Sequence, residues 1–242
     1  MRPHGCILAA ISSCLLVTAG CADGPVTVEY RDGDAFTRAD RAAIERVADG
    51  AARDVRKLLP ALPERLRLTV QVGTRVIPET GETGEVGLPA AVYWTVNPQH
   101  PGGVLAVVNA QLRATLFHEY YHLVREARLT SSSLSDRAVD EGLATAFERD
   151  FGGSPTPWGA YPANVADWTR EFLALPGDAP RDQWMGRHSD GRRWIGYKVG
   201  TYLADRAAAA SGLTLAQLAA VPADRIIELA LGRGTSFTAP DR

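Results

Sequence analysis

Two histidines and a glutamate within five residues constrain this chain more than any other feature. The segment His118-Glu119-Tyr120-Tyr121-His122 has the form H-E-x-x-H. On an α-helix, residues four apart lie about one turn above each other, so the two imidazoles can approach one metal ion. Glu119 lies about 100° further round the helix and points beside that ion. The motif therefore predicts a helical metal site with a carboxylate next to it.

The residues around the motif predict that this helix is buried. Asn109 is a candidate N-cap, and apolar side chains then occur on nearly every side, among them Leu112, Leu116, Phe117, Leu123 and Val124. Three polar side chains in one turn of a buried helix would cost several kcal/mol if they had no partners. A bound metal ion supplies such a partner.

A third metal ligand is predicted on the next helix. This helix follows the segment Ser131–Ser135 and carries Glu141, which comes after the 18 residues 123–140 that separate it from His122. Two histidines and one glutamate form a ligand set of catalytic zinc sites, in which the fourth position is open to water. We therefore predict one Zn²⁺ per chain, bound by His118, His122 and Glu141.

A site of this kind predicts a hydrolase that acts on a peptide or protein substrate. Glu119 is placed to act as the general base toward a metal-activated water. Two other interpretations are a metal- or peptide-binding lipoprotein without catalysis, and a structural envelope lipoprotein in which the motif is fortuitous. The presence of Glu119 argues against the first, because metal binding alone does not require that carboxylate.

The N-terminus has the pattern of an export signal. Arg2 precedes a short apolar run, Ile7–Val17, and small residues precede Cys21. Small residues directly before a cysteine are typical of bacterial lipoproteins. The pattern predicts a signal peptide over residues 1–20 and lipidation of Cys21, which would anchor the exported protein in the membrane of the cell envelope. Ordinary secretion is the alternative.

Charge and cysteine content exclude several other classes of function. The three cysteines, Cys6, Cys14 and Cys21, all lie in the N-terminal segment, so the remaining chain has no thiol for a disulfide or a thiolate metal site. The formal net charge is −2. This balance gives no basic surface for nucleic acid. The oligomeric state is not predicted.

Strand patterns precede helical patterns, which predicts an α+β fold. We expect one domain over residues 21–242, with a sheet-containing lobe at about 25–125 and a mostly helical lobe at about 126–242. Pro78–Gly87 is predicted to be an exposed loop and Arg193–Ala210 a long helix in which Gly196 and Gly200 allow close backbone approach. Strands are predicted at Val26–Tyr30, Leu66–Val72, Ala91–Val96 and Val104–Val108, and a helix from N-cap Thr37 to Pro60.

An edge strand near the metal site could hold an extended substrate by its main chain. We assign this role to Val104–Val108 or its neighbour, with an interior strand as the alternative. His100, in the preceding turn, is expected to be a solvated loop histidine.

Three ordered motifs resemble a known family: HEYYHLVR at His118–Arg125, DEGLATAF at Asp140–Phe147 and GYKVG at Gly196–Gly200. Together they are similar to the predicted Zn-dependent bacterial proteases, which are related to the gluzincin metallopeptidases. The resemblance covers about residues 100–230. It implies a gluzincin-like zincin fold with a small N-terminal sheet and an active-site helix pair, with His118, His122 and Glu141 as zinc ligands and Glu119 as base.

The resemblance also implies a tyrosine or histidine that stabilises the oxyanion, and both Tyr197 and His188 are candidates. Thermolysin-like enzymes place an aspartate where this chain has Thr145. Asp140 or a backbone carbonyl is then expected to orient a histidine ligand, and Glu148 is expected to be partly solvated. The tryptophans of the C-terminal half are assigned to the core, not to substrate binding.

Overall fold

The computed structural model describes residues 24–126, 133–153 and 156–233. These residues form an α+β fold, as predicted, with a four-stranded mixed sheet followed mainly by helices. The predicted signal peptide and the predicted lipidation site at Cys21 lie outside the described residues. Across these described ranges, no helix combines the length and the apolar character needed to cross a bilayer.

The sheet has the strand order β1-β2-β4-β3. β1 (Val26–Tyr30) is parallel to β2 (Leu66–Val72), and β2 is parallel to β4 (Ala91–Val96), which confirms three of the predicted strands. β3 (Glu82–Gly87) pairs antiparallel with β4 and forms an edge of the sheet.

The helices begin with α1, which connects β1 to β2. Thr37 is the N-cap at its start, as predicted, and forms a capping box with Asp40. Buried apolar side chains of the sheet and the helices share one hydrophobic cluster. The helix bounds are α1 Arg38–Leu58, α2 Gly103–Val107, α3 Arg113–Glu126, α4 Leu134–Phe147, α5 Val165–Leu173, α6 Arg181–Met185, α7 Ile195–Ser211, α8 Leu215–Leu218 and α9 Ala223–Ala230.

The expectation of a strand at Val104–Val108 is wrong, because these residues are helical. Val104, Val107 and Val108 are buried while Leu105 is 39% exposed, which is the i, i+3, i+4 spacing of a helix and not the alternation of a strand. Gly102, with φ of +83°, starts the helix. The motif helix therefore begins well before Asn109, the predicted cap.

A π-helical segment, Val108–Leu112, joins α2 to α3. A second π-helical segment, Glu148–Gly152, extends α4 at its C-terminal end. Such segments are rare in proteins and are frequent at functional sites. Here they flank the two helices that carry the H-E-x-x-H motif and Glu141.

The prediction of an exposed loop at Pro78–Gly87 is also wrong, because most of this segment forms the edge strand β3. Its sequence, ETGEVG, has few residues that favour strands. The strand forms because its main chain pairs with β4 from Glu82 opposite Val96 to Gly87 opposite Ala91. This pairing places β3 against α3.

Helices α4 and α7 approach each other closely at two glycines. A Cβ atom at Gly142 would lie 1.9 Å from the carbonyl carbon of Gly200, and one at Gly200 would lie 1.7 Å from the carbonyl oxygen of Ala138. No side chain fits at either position. The close approach expected for the glycines of α7 is thus observed at Gly200, and it brings Tyr197 of α7 near Glu141 of α4.

Candidate metal centre

Three side-chain atoms from α3 and α4 converge on one point. The Nε2 atom of His118 lies 3.1 Å from Nε2 of His122 and 3.1 Å from Oε2 of Glu141, and the third side of the triangle is 3.4 Å. Ligands about 2.0–2.1 Å from a tetrahedral zinc ion are about 3.3 Å apart. Among the described residues, these three form the group able to hold a metal ion. Their chemistry and spacing fit Zn²⁺.

The electrostatics of this group call for a cation. Burial would lower the pKa of His118, but its contacts with Glu141 and Glu148 raise it well above its usual value. Burial would raise the pKa of Glu141, whereas His122 and His118 hold it well below its usual range. The buried carboxylates therefore favour a positive charge on or between the two imidazoles. Metal binding would replace a proton here.

Glu148 fixes the orientation of the first histidine. Its Oε2 lies 3.0 Å from Nδ1 of His118 and accepts a hydrogen bond from Nε1 of Trp158 at 3.3 Å. When Nδ1 of His118 donates to this carboxylate, Nε2 presents its lone pair to the metal position. Glu148 is 2% exposed, so the expectation that it is partly solvated is wrong.

The prediction that Asp140 orients a histidine is corrected by this arrangement. Its carboxylate accepts a hydrogen bond from Nε of Arg125, at the end of α3, and both residues are buried. Arg125 also donates through Nη1 to the carbonyl oxygens of Leu218, Ala219 and Val221. Asp140 thus joins α4 to α3 and the segment after α8 through Arg125, while Glu148 contacts the histidine.

Arg137 holds the other oxygen of Glu141. Arg137 lies one turn before Glu141 on α4, and its Nη2 is 2.7 Å from Oε1 of Glu141. This contact leaves Oε2 of Glu141 directed at the imidazoles. The second histidine has a weaker arrangement. Among the described residues, no hydrogen-bond partner is within reach of Nδ1 of His122, and the nearest carboxylate oxygen, that of Glu126, is 3.6 Å away.

Glu119 is packed against the backbone of β3. A Cβ atom at Gly84 would lie 2.7 Å from its Oε1, so only glycine allows the strand this close. Burial raises the pKa of Glu119, although His118 and His122 oppose the shift. A raised pKa favours proton uptake by this carboxylate, as a general base requires.

A second buried carboxylate, Glu82, lies at the start of β3. Its Oε2 accepts hydrogen bonds from Nε1 of Trp94 at 2.8 Å and from Oγ1 of Thr115 at 2.9 Å. Thr115 is one turn before Glu119 on α3. Burial raises the pKa of Glu82 to about 7, although these two hydrogen bonds lower it.

A cleft of about 800 Å³ opens onto the three donors. Tyr197 lines it, and burial, followed by the nearby Glu141 carboxylate, raises the pKa of the phenol well above its usual value. His188 is not among the described residues that line it: Nδ1 lies 2.9 Å from Oδ1 of Asp190, and the ring packs on Trp184. The lining residues outside the metal group include Ile77, Glu82–Val86, Thr115, Glu119, Glu126, Arg137, Glu148, Trp158, Arg181, Asp182, Met185, Gly186, Trp194 and Tyr197.

Comparison with known families supports the same chemistry. The model of a family described as "Predicted Zn-dependent protease (DUF2268)" matches residues 45–228. The chain belongs to this family. The matched range contains His118, His122 and Glu141 together with β3 and the GYKVG segment. No curated protein and no solved structure matches the chain.

Several residues of this family member's site were missed or misplaced by sequence reasoning. Glu148 begins the π-helical segment that continues α4, two turns after Glu141, and Arg137 lies on α4 one turn before Glu141. Residues four or seven apart share one face of a helix, so these sequence separations could have indicated that both side chains lie near Glu141. The cleft-lining role of Trp158 and Trp194 had no such signal, because it depends on how distant segments meet.

Proposed function

We propose that this chain is a zinc-dependent peptidase of the gluzincin type, with the pattern H-E-x-x-H followed by Glu141 after 18 residues. The observation that carries the proposal is the triangle of His118, His122 and Glu141 beside a buried Glu119 in an open cleft. One zinc ion per chain would be held by these three side chains. When bound, the ion supplies the acidification of a water molecule and the polarisation of a substrate carbonyl.

The proton transfers are assigned to Glu119. Its carboxylate takes a proton from the attacking water and delivers it to the nitrogen of the leaving amine. The backbone of β3 at Gly84 limits the movement of Glu119. Tyr197 is assigned to the oxyanion: its raised pKa keeps the phenol protonated, so its hydroxyl can donate a hydrogen bond to the developing negative charge.

The substrate backbone is assigned to the edge of β3. This strand replaces Val104–Val108 in that role, because residues 82–86 line the cleft and the strand forms an edge of the sheet. An extended peptide can add to such an edge through main-chain hydrogen bonds. The proposed substrates are therefore peptides, or protein segments without stable structure.

The proposed location is the bacterial cell envelope, through lipidation of Cys21 after export. The support is the short apolar run and the small residues before this cysteine. In a bacterial host, Cys21→Ser should move the protein from the membrane fraction to the soluble fraction. Equal membrane retention of both forms, measured by fractionation and immunoblotting, would contradict the proposed lipid anchor.

The test of catalysis is Glu119→Gln in the zinc-loaded protein. We expect the variant to bind one zinc per chain and to lose peptide hydrolysis, because the amide cannot accept the proton. His118→Ala should lose the zinc as well. Metal content by elemental analysis and cleavage of a peptide library by mass spectrometry provide the two measurements.

The same assay tests Tyr197 through Tyr197→Phe, which removes the hydroxyl and keeps the ring. We expect kcat to fall by about 10²–10³, the loss typical of one oxyanion donor. Peptidase activity retained in Glu119→Gln would exclude the proposed base, and unchanged kcat in Tyr197→Phe would exclude the proposed donor.

A further inference from the structure

Two tryptophans form an aromatic wall in the cleft. Trp158 and Trp194 both line it, with their ring centroids 5.6 Å apart in an edge-to-face arrangement of 69°. The side chains of Ile77 and Met185 add further apolar surface to the cleft. We call Trp158 and Trp194 the indole pair.

The backbone of Trp194 is strained. Its φ of 53° and ψ of 42° lie in the left-handed region. Among the described residues, Trp194 is the only non-glycine residue with a positive φ. This conformation is unfavourable for a large side chain, and glycine would adopt it freely. Strain of this kind at a cleft points to a use for the side chain that outweighs its cost.

Both indoles are held in fixed positions. The guanidinium of Arg193 lies over the Trp194 ring, 3.9 Å from its centroid, and Arg193 itself pairs with Glu79, which precedes β3. Nε1 of Trp158 donates to Glu148, and Glu148 contacts His118. The indole pair is therefore one carboxylate away from a proposed zinc ligand.

We propose that the indole pair forms the subsite for an apolar, preferably aromatic, substrate side chain next to the cleaved bond. This inference rests on the proposed peptidase function and specifies its substrate class. Aromatic rings favour apolar and aromatic partners in offset or edge-to-face contact. A cationic substrate side chain gains less at this position, because the guanidinium of Arg193 already occupies one face of the Trp194 ring.

The test compares peptides that carry Phe, Leu, Ala or Lys at each of the two positions that flank the cleaved bond. In the zinc-loaded wild type, we expect kcat/KM for Phe and Leu at one position to exceed that for Ala by about 10- to 100-fold. Trp194→Gly removes the indole and accepts the positive φ, so we expect it to abolish this preference. Trp168→Ala is the control, since Trp168 lies under Arg192 and does not line the cleft.

Binding gives a second measurement that does not depend on turnover. Calorimetry with zinc-loaded Glu119→Gln should show tighter binding of the Phe peptide than of the Ala peptide, and addition of Trp194→Gly should remove the difference. If the wild type cleaves no peptide but this difference is observed, the proposed function fails and the subsite stands. Cleavage without an apolar preference, a preference for Lys, or a preference that survives Trp194→Gly would each overturn the subsite.

Discussion

Glu148 and His118 form the contact that decides how the first imidazole is presented. The carboxylate oxygen is 3.0 Å from Nδ1, and the buried Trp158 indole donates to the same oxygen. A histidine held at one nitrogen presents the other in a single orientation, which lowers the cost of metal binding. Partners of this kind commonly contribute 10- to 100-fold to metal affinity.

We therefore expect Glu148→Gln to weaken zinc binding by about 10- to 100-fold. The measurement is a competitive titration of zinc against a chelator of known affinity. Glu171→Gln serves as the control, because Glu171 pairs with Arg192 outside the cleft. Equal zinc affinity in wild type and Glu148→Gln would show that the contact does not orient His118.

Residue identities predicted that the side chains of His118, His122 and Glu141 come together, but they did not predict which residues surround them. The spacing of His118, His122 and Glu141 is a property of two helices, and helical periodicity follows from local sequence. The choice between Asp140 and Glu148 depends on where Arg125 and Trp158 lie, and neither position follows from local sequence. Asp140 pairs with Arg125, so Glu148 is the acid beside His118.

At the scale of secondary-structure elements, the contact between α4 and α7 positions two residues of the site. Glu141 lies on α4 and Tyr197 on α7, and the helices can approach this closely because Gly142 and Gly200 have no Cβ atoms. Backbones this close leave no room for adjustment by side-chain rotation. The relative position of a proposed ligand and a proposed oxyanion donor is therefore set by main-chain contact.

Gly200→Ala should destabilise the protein by about 1–3 kcal/mol, because its methyl group would overlap the carbonyl oxygen of Ala138. The matched control is Gly50→Ala in α1, where no atom of a described residue lies within 4 Å of the added carbon. That control should stabilise the protein by about 0.5–1 kcal/mol. Urea unfolding of the three proteins measures both effects. Equal stability of wild type and Gly200→Ala would contradict the close approach.

At the element scale, β1, β2 and β4 were predictable and β3 was not. The first three contain branched and aromatic residues in strand patterns, whereas β3 is held by pairing with β4. The error at Val104–Val108 has the opposite cause. A short run of valines suits a strand or a buried helix, and the glycine turn at Gly102 with the following helical spacing decides for the helix.

For the molecule as a whole, Glu82 makes stability depend on pH. Burial raises the pKa of its carboxyl from the usual 4.5 to about 7 in the folded chain. Between these values the folded chain keeps a proton that the unfolded chain has released. The free energy of unfolding therefore falls as the pH rises through this window, by up to about 3 kcal/mol.

Glu82→Gln should remove this loss, because the amide stays neutral and its oxygen can still accept from Trp94 and Thr115. The expected result is a smaller decrease in unfolding free energy from pH 5 to pH 8 than in the wild type. Urea titrations of both proteins at the two pH values, with the same zinc concentration, make the comparison. Parallel pH dependences would contradict the raised pKa.

The hydrogen bonds of Arg125 also link the histidine helix to a distant part of the chain during folding. Its guanidinium needs the carbonyl oxygens of Leu218, Ala219 and Val221, and Tyr121 of the same helix donates to the carbonyl oxygen of Leu215. These acceptors lie about ninety residues after the helix that carries both histidines. Until they pack against α3, the guanidinium of Arg125 lacks part of its partners, and a buried polar group without partners is costly. The candidate metal centre therefore reaches its final geometry only when this distant part of the chain has folded against α3.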